Sequence, residues 1–515
     1  MERSVLSRRL ALRRSSPGKP VRLNQWNLER LPIAFKVPGY DRDRLTAGIL
    51  HIGLSGFQRS HEAVYTDDYL EASGNLEWGI CGVGLNESDR KIADVLQRQD
   101  FLYTLVTRHP DGEVHYRVIG SLVDYLLAED DPEAVLARMS DESIRIVSLS
   151  VAEAGDGVGV TGDELDLDRD EVRHDLARPA KPLTIFGYLA EALRRRRDAG
   201  VPPFTIQSCD HVEQNGAMIR RLLLSFVSRQ DPGLAEWIAA EVAFPNSMMD
   251  RITPVTTSAD IAELEQLGVK DHWPVCCEPF AQWVSEDDFS LGRPAWEKVG
   301  ARFAADVRDE ETMKLRLLNG GHLVLGHLGR LHGYGTTDEC LRDELFTAYL
   351  QRFLEKEVTP ILARLSDGEV AAYREAVMER FRNPALRDQL VRICSESSTK
   401  LARFLVPTIQ DNLAAGGSVR LAALVVAAWC YRLSRQVTEE SSAVEAGDVL
   451  QDELQAAAAG TRGDALALLR VRSVFGDLVE KDAFVEAYQE LVTKLFEGRG
   501  IRELMEAELA AGASL

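Results

Sequence analysis

The pattern of hydrophobic and polar positions changes near residue 280 of the chain. Before that point, short apolar runs alternate with amphipathic helical stretches, and the clearest runs cover 47–52, 78–85, 144–151 and 203–210. Apolar runs of this length between turn residues predict buried strands. Strands that alternate with helices predict a mostly parallel sheet, with ligands bound at the carboxyl ends of its strands. The first part of the chain is therefore predicted to be an α/β domain.

After residue 279 the apolar positions recur with helical period. Segments rich in Ala, Leu, Glu and Arg predict helices over 307–330, 337–364, 368–379, 384–393, 397–412, 418–435 and 446–512. The sequence thus predicts a disordered basic tail over 1–22, an α/β domain over 23–300 and an all-α domain over 301–515. The cleft between the two domains is the expected place for a binding site.

A glycine turn follows the first predicted strand. The stretch Gly53-Leu-Ser-Gly56-Phe57-Gln-Arg59 leads directly from that strand into a helical segment. A strand, a glycine turn and a helix aim free backbone N–H groups and the helix dipole at a phosphate. The glycine fingerprint of dinucleotide sites is incomplete, because Ser55 and Gln58 occupy its next two glycine positions. The residues alone are thus consistent with a dinucleotide site and also with an ordinary strand-to-helix turn.

Acidic residues follow the second predicted strand, in the segment Asn86-Glu87-Ser88-Asp89-Arg90. An acidic side chain at this point accepts hydrogen bonds from the ribose hydroxyls of NAD and repels the 2′-phosphate of NADP. Glu87 or Asp89 can take this role, which favours NAD over NADP, whereas Arg90 can instead hold a phosphate. Glu153, at the carboxyl end of the predicted strand 144–151, is a further candidate for cofactor binding.

Three polar residues share roughly one side of a helix predicted after residue 300. At about 100° per residue, His322 lies about 80° and Asn319 about 140° from Lys314. Lys314 can remove a hydroxyl proton if burial lowers its pKa, and Asn319 and His322 can hydrogen-bond an oxygen whose charge changes. The alternative is an ordinary amphipathic helix, in which the lysine stem is partly buried and the histidine lies at the surface.

Charge and cysteine content narrow the classes of function. The formal net charge of −21 argues against nucleic acids and anionic membranes as partners, because both favour a basic face. The seven cysteines form no CxxC pair and no cluster with zinc-finger spacing, so reduced thiols and no metal are expected. No apolar stretch approaches the roughly 20 residues that span a bilayer. The protein is expected to be cytoplasmic.

Several motifs of this chain are similar to those of one family. They are Gly53-x2-Gly56-Phe57-x-Arg59, Ser208-Cys-Asp-x4-Asn215-Gly, Asp250-Arg251-Ile-x-Pro254 and Lys314-x4-Asn319-x2-His322. On these residues the chain resembles the polyol-specific long-chain dehydrogenases, the mannitol dehydrogenase family, from about residue 23 to about residue 500. The resemblance implies an N-terminal Rossmann-type domain that binds NAD, a helical C-terminal domain and no zinc. Members of the family are often monomers, and a monomer is expected here.

The resemblance also implies roles for individual residues. Lys314 would be the general base, Asn319 would hold the reacting oxygen, and His322 would orient the substrate and the lysine. Glu311 would relay the proton to solvent. The remaining matches are residues for the other hydroxyls of the sugar chain, Asp250, Arg392 and Lys400, and residues of the cofactor-binding turn, Gly53, Gly56, Phe57 and Arg59.

Two departures from the family pattern bear on the chemistry of the site. The family usually has Asn after the Ser-Cys-Asp strand end, as the second half of the oxygen-binding pair, and this chain has His211 as its candidate catalytic residue there. A neutral imidazole can still donate a hydrogen bond to the oxygen. Ser55 places a side chain in the phosphate turn, where backbone has to approach closely. His211→Asn is expected to raise kcat if the family pair is the better arrangement, and to lower it if His211 is an adapted part of the site.

Three functions are consistent with this sequence. The favoured one is an NAD-dependent dehydrogenase that interconverts a polyol, D-mannitol first among them, with its 2-ketose, D-fructose. The second is a hexuronate reductase acting on fructuronate or tagaturonate, for which Arg392 or Lys400 would bind the substrate carboxylate. The third is a dinucleotide-binding protein without turnover, a hypothesis suggested by His211 and Ser55.

Overall fold

A five-stranded parallel sheet forms the centre of the N-terminal half of the protein in a computed structural model. The structure describes residues 19–150, 160–161, 164–362, 364–436 and 448–511. Across the sheet, the strands are Thr205–Ser208, Ile146–Leu149, Ala47–Ile52, Gly79–Gly84 and Leu122–Leu127. Numbered along the chain, their order is 5-4-1-2-3, which is the arrangement of a Rossmann-type nucleotide-binding sheet. The predicted α/β class of this half is confirmed.

Four of the five strands coincide with apolar runs of the sequence, and the fifth does not. The edge strand Leu122–Leu127 is only half-buried at its inner positions. It therefore lacks the continuous apolar run that marks a strand covered on both faces. In contrast, every residue of Ala47–Ile52 is buried, and this strand is the easiest to predict.

Helices cover both faces of the sheet. Leu50 and Val147 face one apolar cluster, while their neighbours Ile49 and Ile146 face another, because successive side chains of a strand point to opposite sides. The helices of this half are Gly56–Ser60, Glu62–Ser73, Arg90–Arg98, Pro132–Ser140, Asp170–Ala177, Ile185–Ala199, Asn215–Gln230, Pro232–Glu241 and Ser258–Gln266.

Smaller sheets adjoin the main one. A four-stranded sheet contains Val275–Cys277, Tyr103–Arg108, Val114–Ile119 and Phe35–Lys36, and a three-stranded sheet contains Ser247–Asp250, Gln282–Glu286 and Arg302–Ala304. Two short pairs are Val21–Arg22 with Val269–Lys270 and Val160–Thr161 with Glu164–Leu165. Residues 21 and 22 of the predicted tail thus lie in a strand, and residues 1–18 lie outside the described part of the chain.

The C-terminal half consists of helices around the apolar helix Arg420–Gln436, whose residues 421–430 are all buried. The other α-helices are Arg308–Lys314, Gly320–His332, Thr337–Arg342, Glu344–Phe353, Asp367–Phe381, Leu390–Ile393, Ser397–Lys400, Val406–Ala414, Gln451–Gly460, Arg472–Phe475, Asp482–Phe496 and Ile501–Ala511. π-helical turns cover Leu315–Asn319, Leu354–Val358 and Leu401–Leu405. The predicted all-α class is confirmed, and the boundary at residue 300 stays a prediction.

The seven cysteines are buried free thiols. Within the described ranges, no helix has both the length and the apolar character that crossing a membrane requires.

Candidate active site

The helix that carries Lys314 is not a regular α-helix. The α-helix Arg308–Lys314 is followed by the π turn Leu315–Asn319 and then by the α-helix Gly320–His332. In the π turn, the N–H of Gly320 donates to the carbonyl of Leu315, five residues before it. Turns of this kind widen a helix locally and are frequent at functional sites.

The π turn brings Asn319 towards the side of the helix that carries Lys314. A residue in such a turn lies near the residue five positions earlier, whereas the regular α-helical period would place Asn319 about 140° from Lys314. Lys314 is only 3% exposed. The Oδ1 atom of Asn319 is buried and accepts no hydrogen bond from the described residues. The carboxamide therefore has hydrogen-bonding capacity left for a ligand.

Lys314 faces a small cavity between the two halves of the protein. From the helical half, Glu311, Lys314 and Leu315 line it. The α/β half contributes Asp210, His211, Val212, Ser247, Met248 and Met249. Asp210 and His211 follow the strand Thr205–Ser208 of the main sheet, so the cavity lies at the carboxyl end of a parallel strand, where such sheets bind ligands.

Glu311 is a buried carboxyl one helical turn before Lys314. Its Oε2 accepts a hydrogen bond from the N–H of Gln214 at 3.0 Å, and its Oε1 accepts none within the described ranges. Burial raises the pKa of Glu311 to about 8; the Gln214 hydrogen bond opposes the rise, and the carboxylates of Glu213 and Glu286 add to it. A carboxyl with such a pKa can take up and release a proton near neutral pH.

His322 is held between an aromatic ring and a carboxylate. Its ring centroid lies 4.4 Å from that of Phe381, and its Nε2 lies 3.3 Å from Oδ2 of Asp388. The two atoms are at ion-pair distance, but the ring is not aligned for a hydrogen bond. Burial lowers the pKa of His322, and Asp388 opposes this effect. The imidazole is therefore neutral at neutral pH.

Arg392 and Lys400, both predicted to bind sugar hydroxyls, are connected to each other and to Asp388. Arg392 donates to Asp388 through Nε at 2.9 Å and through Nη2 at 2.6 and 2.7 Å. The ammonium of Lys400 donates to the carbonyl of Arg392 at 3.1 Å and to the hydroxyl of Ser395 at 3.2 Å. Both cations thus have partners within the protein.

Asp250, also predicted to bind the substrate, is fully buried and paired. The hydroxyl of Tyr373 donates to Oδ2 of Asp250, and Arg380 donates to its two oxygens at 2.8 and 2.6 Å. Arg380 also pairs with Glu278 at 2.7 Å. Burial would raise the pKa of Asp250, but Arg380 and Lys314 hold it at about 2. Asp250 is therefore ionised, and its pairing with Arg380 joins the two halves of the protein.

His211 and Phe57 contact each other beside the cavity. Their ring centroids lie 4.6 Å apart in an edge-to-face arrangement, and Phe57 also stacks on His61 at 5.2 Å. Because His211 lines the same cavity as Lys314, the structure brings together one residue of the predicted cofactor turn and two of the predicted catalytic group.

The glycine turn has a backbone suited to a phosphate. Gly53 has a φ of +88°, which residues with a side chain rarely adopt. Ser55 has a φ of −102°, and its hydroxyl caps the helix Gly56–Ser60 by accepting from the N–H of Gln58 at 3.2 Å. Ser55 is therefore compatible with its position. A Cβ at Gly56 would find its nearest neighbour only at 3.8 Å, so the space beside this glycine is open.

Arg59 is buried beneath the turn. It is 1% exposed, and it donates through Nη1 to the carbonyl of Trp273 at 2.8 Å and through Nε to the carbonyl of Ser55 at 3.3 Å. Burial lowers the pKa of Arg59 to about 10, which leaves it charged. Its contacts hold the turn in place, and its predicted contact with a cofactor stays a prediction.

The predicted ribose-binding carboxylates both have partners. Glu87 pairs with Arg90 at 2.6 and 2.8 Å, and Arg90 also pairs with Asp130 at 2.8 and 3.0 Å. Oδ2 of Asp89 accepts from the N–H of Asn86 at 3.1 Å. Arg90 is thus flanked by two carboxylates, which counts against its holding a phosphate.

One cluster among the described residues has the spacing of metal ligands. His51, Glu62 and Cys209 offer ligand atoms within 4.8 Å of one another, and none of them is a predicted catalytic residue. Nδ1 of His51 already lies 2.8 Å from the hydroxyl of Ser148 and 3.1 Å from Glu62. The expected absence of a metal stays a prediction. Glu153, the remaining candidate for cofactor binding, lies outside the described residues.

The residues that hold the predicted ones in place were not predicted from the sequence. Asp388 could have been found, because it lies four residues before Arg392, the spacing of a helical ion pair. Tyr373 and Arg380 share the helix Asp367–Phe381, but their partner Asp250 lies 123 and 130 residues away in the sequence. No local sequence pattern indicates a pairing between residues so far apart in the chain.

Comparisons with known proteins agree with this architecture. The family model of the mannitol dehydrogenase Rossmann domain matches residues 47–298, and that of the mannitol dehydrogenase C-terminal domain matches residues 306–496. Mannitol 2-dehydrogenase of Phaeosphaeria nodorum is 41% identical over 476 residues, which are 92% of this chain and 83% of that protein. The Aspergillus fumigatus enzyme of the same name is 40% identical over 474 residues, 90% and 94% of the two chains.

Solved structures give the same result. Pseudomonas fluorescens mannitol 2-dehydrogenase, in a ternary complex with NAD and D-mannitol, is 40% identical; the match covers 95% of this chain and 100% of that one, with a TM-score of 0.89. A substrate-free D-sorbitol dehydrogenase is 36% identical over 93% and 99% of the chains, with a TM-score of 0.77. Since both domain models match in order and the relatives extend over most of its length, this chain belongs to the mannitol dehydrogenase family.

Proposed function

We propose that this protein is an NAD-dependent dehydrogenase that interconverts a polyol with its 2-ketose, D-mannitol and D-fructose being the pair, with Lys314 as general base and without a metal. The observation that carries the proposal is the buried Lys314, which shares a helix side with Asn319 and faces a cavity at the carboxyl end of the parallel sheet. Membership of the family supports the reaction class. The names of the similar proteins support mannitol.

The residues of the glycine turn fit a dinucleotide. The positive φ of Gly53, the capped helix that starts at Gly56 and the open space beside that glycine leave backbone N–H groups available for a pyrophosphate. Glu87 and Asp89 follow the second strand, where they would receive the ribose. When bound, NAD supplies the acceptor for the hydride of the alcohol carbon. The protein then has to position the alcohol and remove its proton.

Lys314 performs the proton transfer. As a neutral amine it takes the proton of the reacting hydroxyl, and in the reverse direction the ammonium returns it to the oxygen of the ketose. Asn319 donates a hydrogen bond to the same oxygen and keeps it near the lysine. His211 lines the cavity with Lys314 and, as a neutral imidazole, can supply the second hydrogen bond. His322 and Arg392 orient the remaining hydroxyls.

Glu311 completes the path of the proton. It lies on the same cavity as Lys314, and its pKa of about 8 allows it to exchange a proton with that amine at working pH. We therefore expect Glu311 to carry the proton between Lys314 and solvent.

The pKa of Glu311 predicts the pH dependence of the reaction. Below about pH 8 its carboxyl is protonated and cannot accept a proton, so kcat for polyol oxidation should rise with pH through that value, whereas kcat for ketose reduction should fall. Glu311→Gln should lower the maximal oxidation rate on the order of tenfold and move the midpoint away from pH 8. Steady-state rates between pH 6 and 10 measure both effects. An unchanged midpoint in the variant would show that another group controls the profile.

The pairing of Arg90 predicts how coenzyme preference can be changed. The double variant Glu87→Gln, Asp130→Asn removes both carboxylates that hold Arg90 and leaves the guanidinium free for a 2′-phosphate. We expect the ratio of kcat/KM for NADP to that for NAD to rise on the order of tenfold, because the released guanidinium can form charge-assisted hydrogen bonds to the 2′-phosphate. Glu503→Gln, which releases Arg499 from a surface pair, is the control. An unchanged ratio in the double variant would remove Arg90 from the coenzyme site.

The surroundings of the cations favour a neutral polyol over a hexuronate. Arg392 is neutralised by Asp388, and the ammonium of Lys400 is directed at a backbone carbonyl and a hydroxyl. A uronate would have to break one of these contacts in order to find a counter-ion. A sugar hydroxyl can bind to Nη1 of Arg392, which Asp388 does not engage, without such a cost. The three donors of the Lys400 ammonium already face the carbonyls of Arg392 and Ile393 and the hydroxyl of Ser395.

The test of the proposed function is the oxidation of NADH by the purified protein with D-fructose, compared with fructuronate. Loss of NADH absorbance with fructose, and much slower loss with fructuronate, is expected. Faster turnover of fructuronate would make the protein a hexuronate reductase. NADH binding without turnover of either compound, or of D-sorbitol and D-arabinitol with NAD, would leave a dinucleotide-binding protein.

A further inference from the structure

Asp388 is a buried carboxylate that contacts two of the predicted site residues, Arg392 and His322. It is 1% exposed. Arg392 donates three hydrogen bonds to it, at 2.6 to 2.9 Å, and Nε2 of His322 lies 3.3 Å from its Oδ2. Lys400 joins the same group, because its ammonium donates to the carbonyl of Arg392.

The backbone around Asp388 is fixed by contacts with a neighbouring turn. Gln389 forms an antiparallel bridge with Thr336, and the carbonyl of Asp388 accepts from the N–H of Thr337 at 3.1 Å. Leu390 donates in turn to a carbonyl of that turn at 2.9 Å. The backbone that carries this carboxylate is therefore held in place. A residue that orients other side chains requires such support.

Asp388 is the carboxylate that opposes the lowering of the His322 pKa. Arg392 and Arg380 face the imidazole as cations and oppose its protonation, whereas Asp388 favours it. Burial would raise the pKa of Asp388, but Arg392 and His322 hold it far below its usual range. Asp388 is thus ionised at any pH at which an enzyme would work.

We propose that Asp388 is the positioning residue of this site: its carboxylate fixes the tautomer and orientation of His322 and locks Arg392 for the substrate. A carboxylate accepts from the protonated nitrogen of a neutral imidazole, so Nε2 carries the hydrogen and Nδ1 is left to accept one from a substrate hydroxyl. At 3.3 Å the two atoms are close enough for a hydrogen bond once the ring is aligned, and contacts of this kind often tighten when the substrate binds. This role rests on the proposed dehydrogenase function.

Asp388→Asn tests the role because it keeps the shape and removes the charge. The amide can present N–H groups to His322 and so favour the wrong tautomer. We expect kcat/KM for the polyol to fall 10- to 100-fold, through a lower kcat from His322 and a higher KM from the released Arg392. In a His322→Asn background the same change should no longer lower kcat, because residues that act through one another are not additive.

A matched control exists elsewhere in the helical half. Glu508 is a buried carboxylate that accepts hydrogen bonds from Arg420 at 2.7 and 2.8 Å. Within the described part of the chain, its hydrogen bonds and ion pairs involve no predicted site residue. Glu508→Gln therefore removes an equivalent carboxylate–arginine pair and should leave kcat and KM within about twofold. Asp388→Glu keeps the charge but displaces it, so it should restore the pKa of His322 while kcat stays reduced.

Titration of His322 by NMR, in protein labelled at histidine, decides the proposal without any turnover. The pKa of His322 should be lower in Asp388→Asn than in the wild type, because Arg392 and Arg380 then act unopposed. Failure of the wild type to oxidise a polyol would refute the proposed function, and the titration would still test Asp388. An unmoved His322 pKa, or kcat losses that add in the double variant, would overturn the role of Asp388 even in an active enzyme.

Discussion

Lys314→Met should reduce kcat for polyol oxidation by on the order of 10³-fold, while the affinity for NADH changes by less than about threefold. Methionine fills nearly the same space as the lysine stem and tolerates apolar surroundings, but it has no basic nitrogen. Lys314 is 3% exposed, so bulk water has little room to replace the amine. The loss should therefore be mainly in kcat, because the proton transfer occurs in the transition state.

The neighbouring residue supplies the control for this prediction. Met313 precedes Lys314 on the same helix and is similarly buried, at 6% exposed, but it lines a different cavity from the one that Lys314 faces. Met313→Leu should retain kcat within about threefold, since swaps of similar volume disturb a core little. Coenzyme binding, followed by the quenching of protein fluorescence by NADH, shows whether each variant still forms the nucleotide site. A Lys314→Met enzyme with near-normal kcat would assign the base to another residue that lines the same cavity, His211 or Glu311.

The fold could be predicted from the sequence where a strand is buried on both faces, because such a strand is an uninterrupted run of apolar residues. Ala47–Ile52 is covered on both faces and reads as an uninterrupted apolar run, whereas the half-buried edge strand Leu122–Leu127 carries no comparable signal. The last predicted helical segment, 446–512, is divided into shorter helices. Gly476 and Gly498, with φ of +55° and +94°, mark two of the interruptions, because helices end where a residue turns left-handed.

The candidate site could be predicted in its residues but not in its geometry. A period of about 100° per residue places Asn319 about 140° from Lys314, at the edge of the side that they share, and the π turn Leu315–Asn319 moves it towards the lysine. Gly321 is part of the reason for the close packing there, because a Cβ on it would lie 3.1 Å from the ring of Phe381. A register shift of this kind depends on what packs against the helix, and the helix sequence does not contain that information.

The pairing of the charged residues could not be predicted from local sequence either, with one exception. The family resemblance implied that Asp250, Arg392 and Lys400 bind the sugar chain, but it did not indicate which residues of this protein pair with them. Asp388 is within one helical turn of Arg392, and local spacing could have revealed it. Arg380 reaches Asp250 across 130 residues of sequence. Its importance becomes visible only when the two halves of the chain are seen in contact.

Arg380→Met should lower the free energy of unfolding by about 3–5 kcal/mol, because it leaves two buried carboxylates without their cation. Asp250 is 0% and Glu278 is 1% exposed, and both depend on the same guanidinium. Urea denaturation measures the loss. Arg499→Met, which breaks an exposed pair with Glu503, should cost no more than about 1 kcal/mol. The double variant Arg380→Met, Glu278→Gln should lose less than the sum of its single changes, since one of the uncompensated charges is then absent.

The pH dependence of that loss separates a charge effect from a packing effect. In the wild type the pKa of Asp250 is held at about 2, below the value of an unfolded aspartate, so its contribution to stability is present above about pH 4 and is lost only as the pH falls towards 2. Burial already raises the pKa of Glu278 in the wild type, although Arg380 opposes the rise. Without Arg380, the pKa of Glu278 rises further, and burial raises the pKa of Asp250 above its unfolded value. The folded state then binds more protons than the unfolded state, and its stability falls as the pH rises. Arg380→Met should accordingly be destabilised more at pH 8 than at pH 5, whereas a loss that is equal at both values would mean that the arginine acts through its packing on Phe280 and not through its charge.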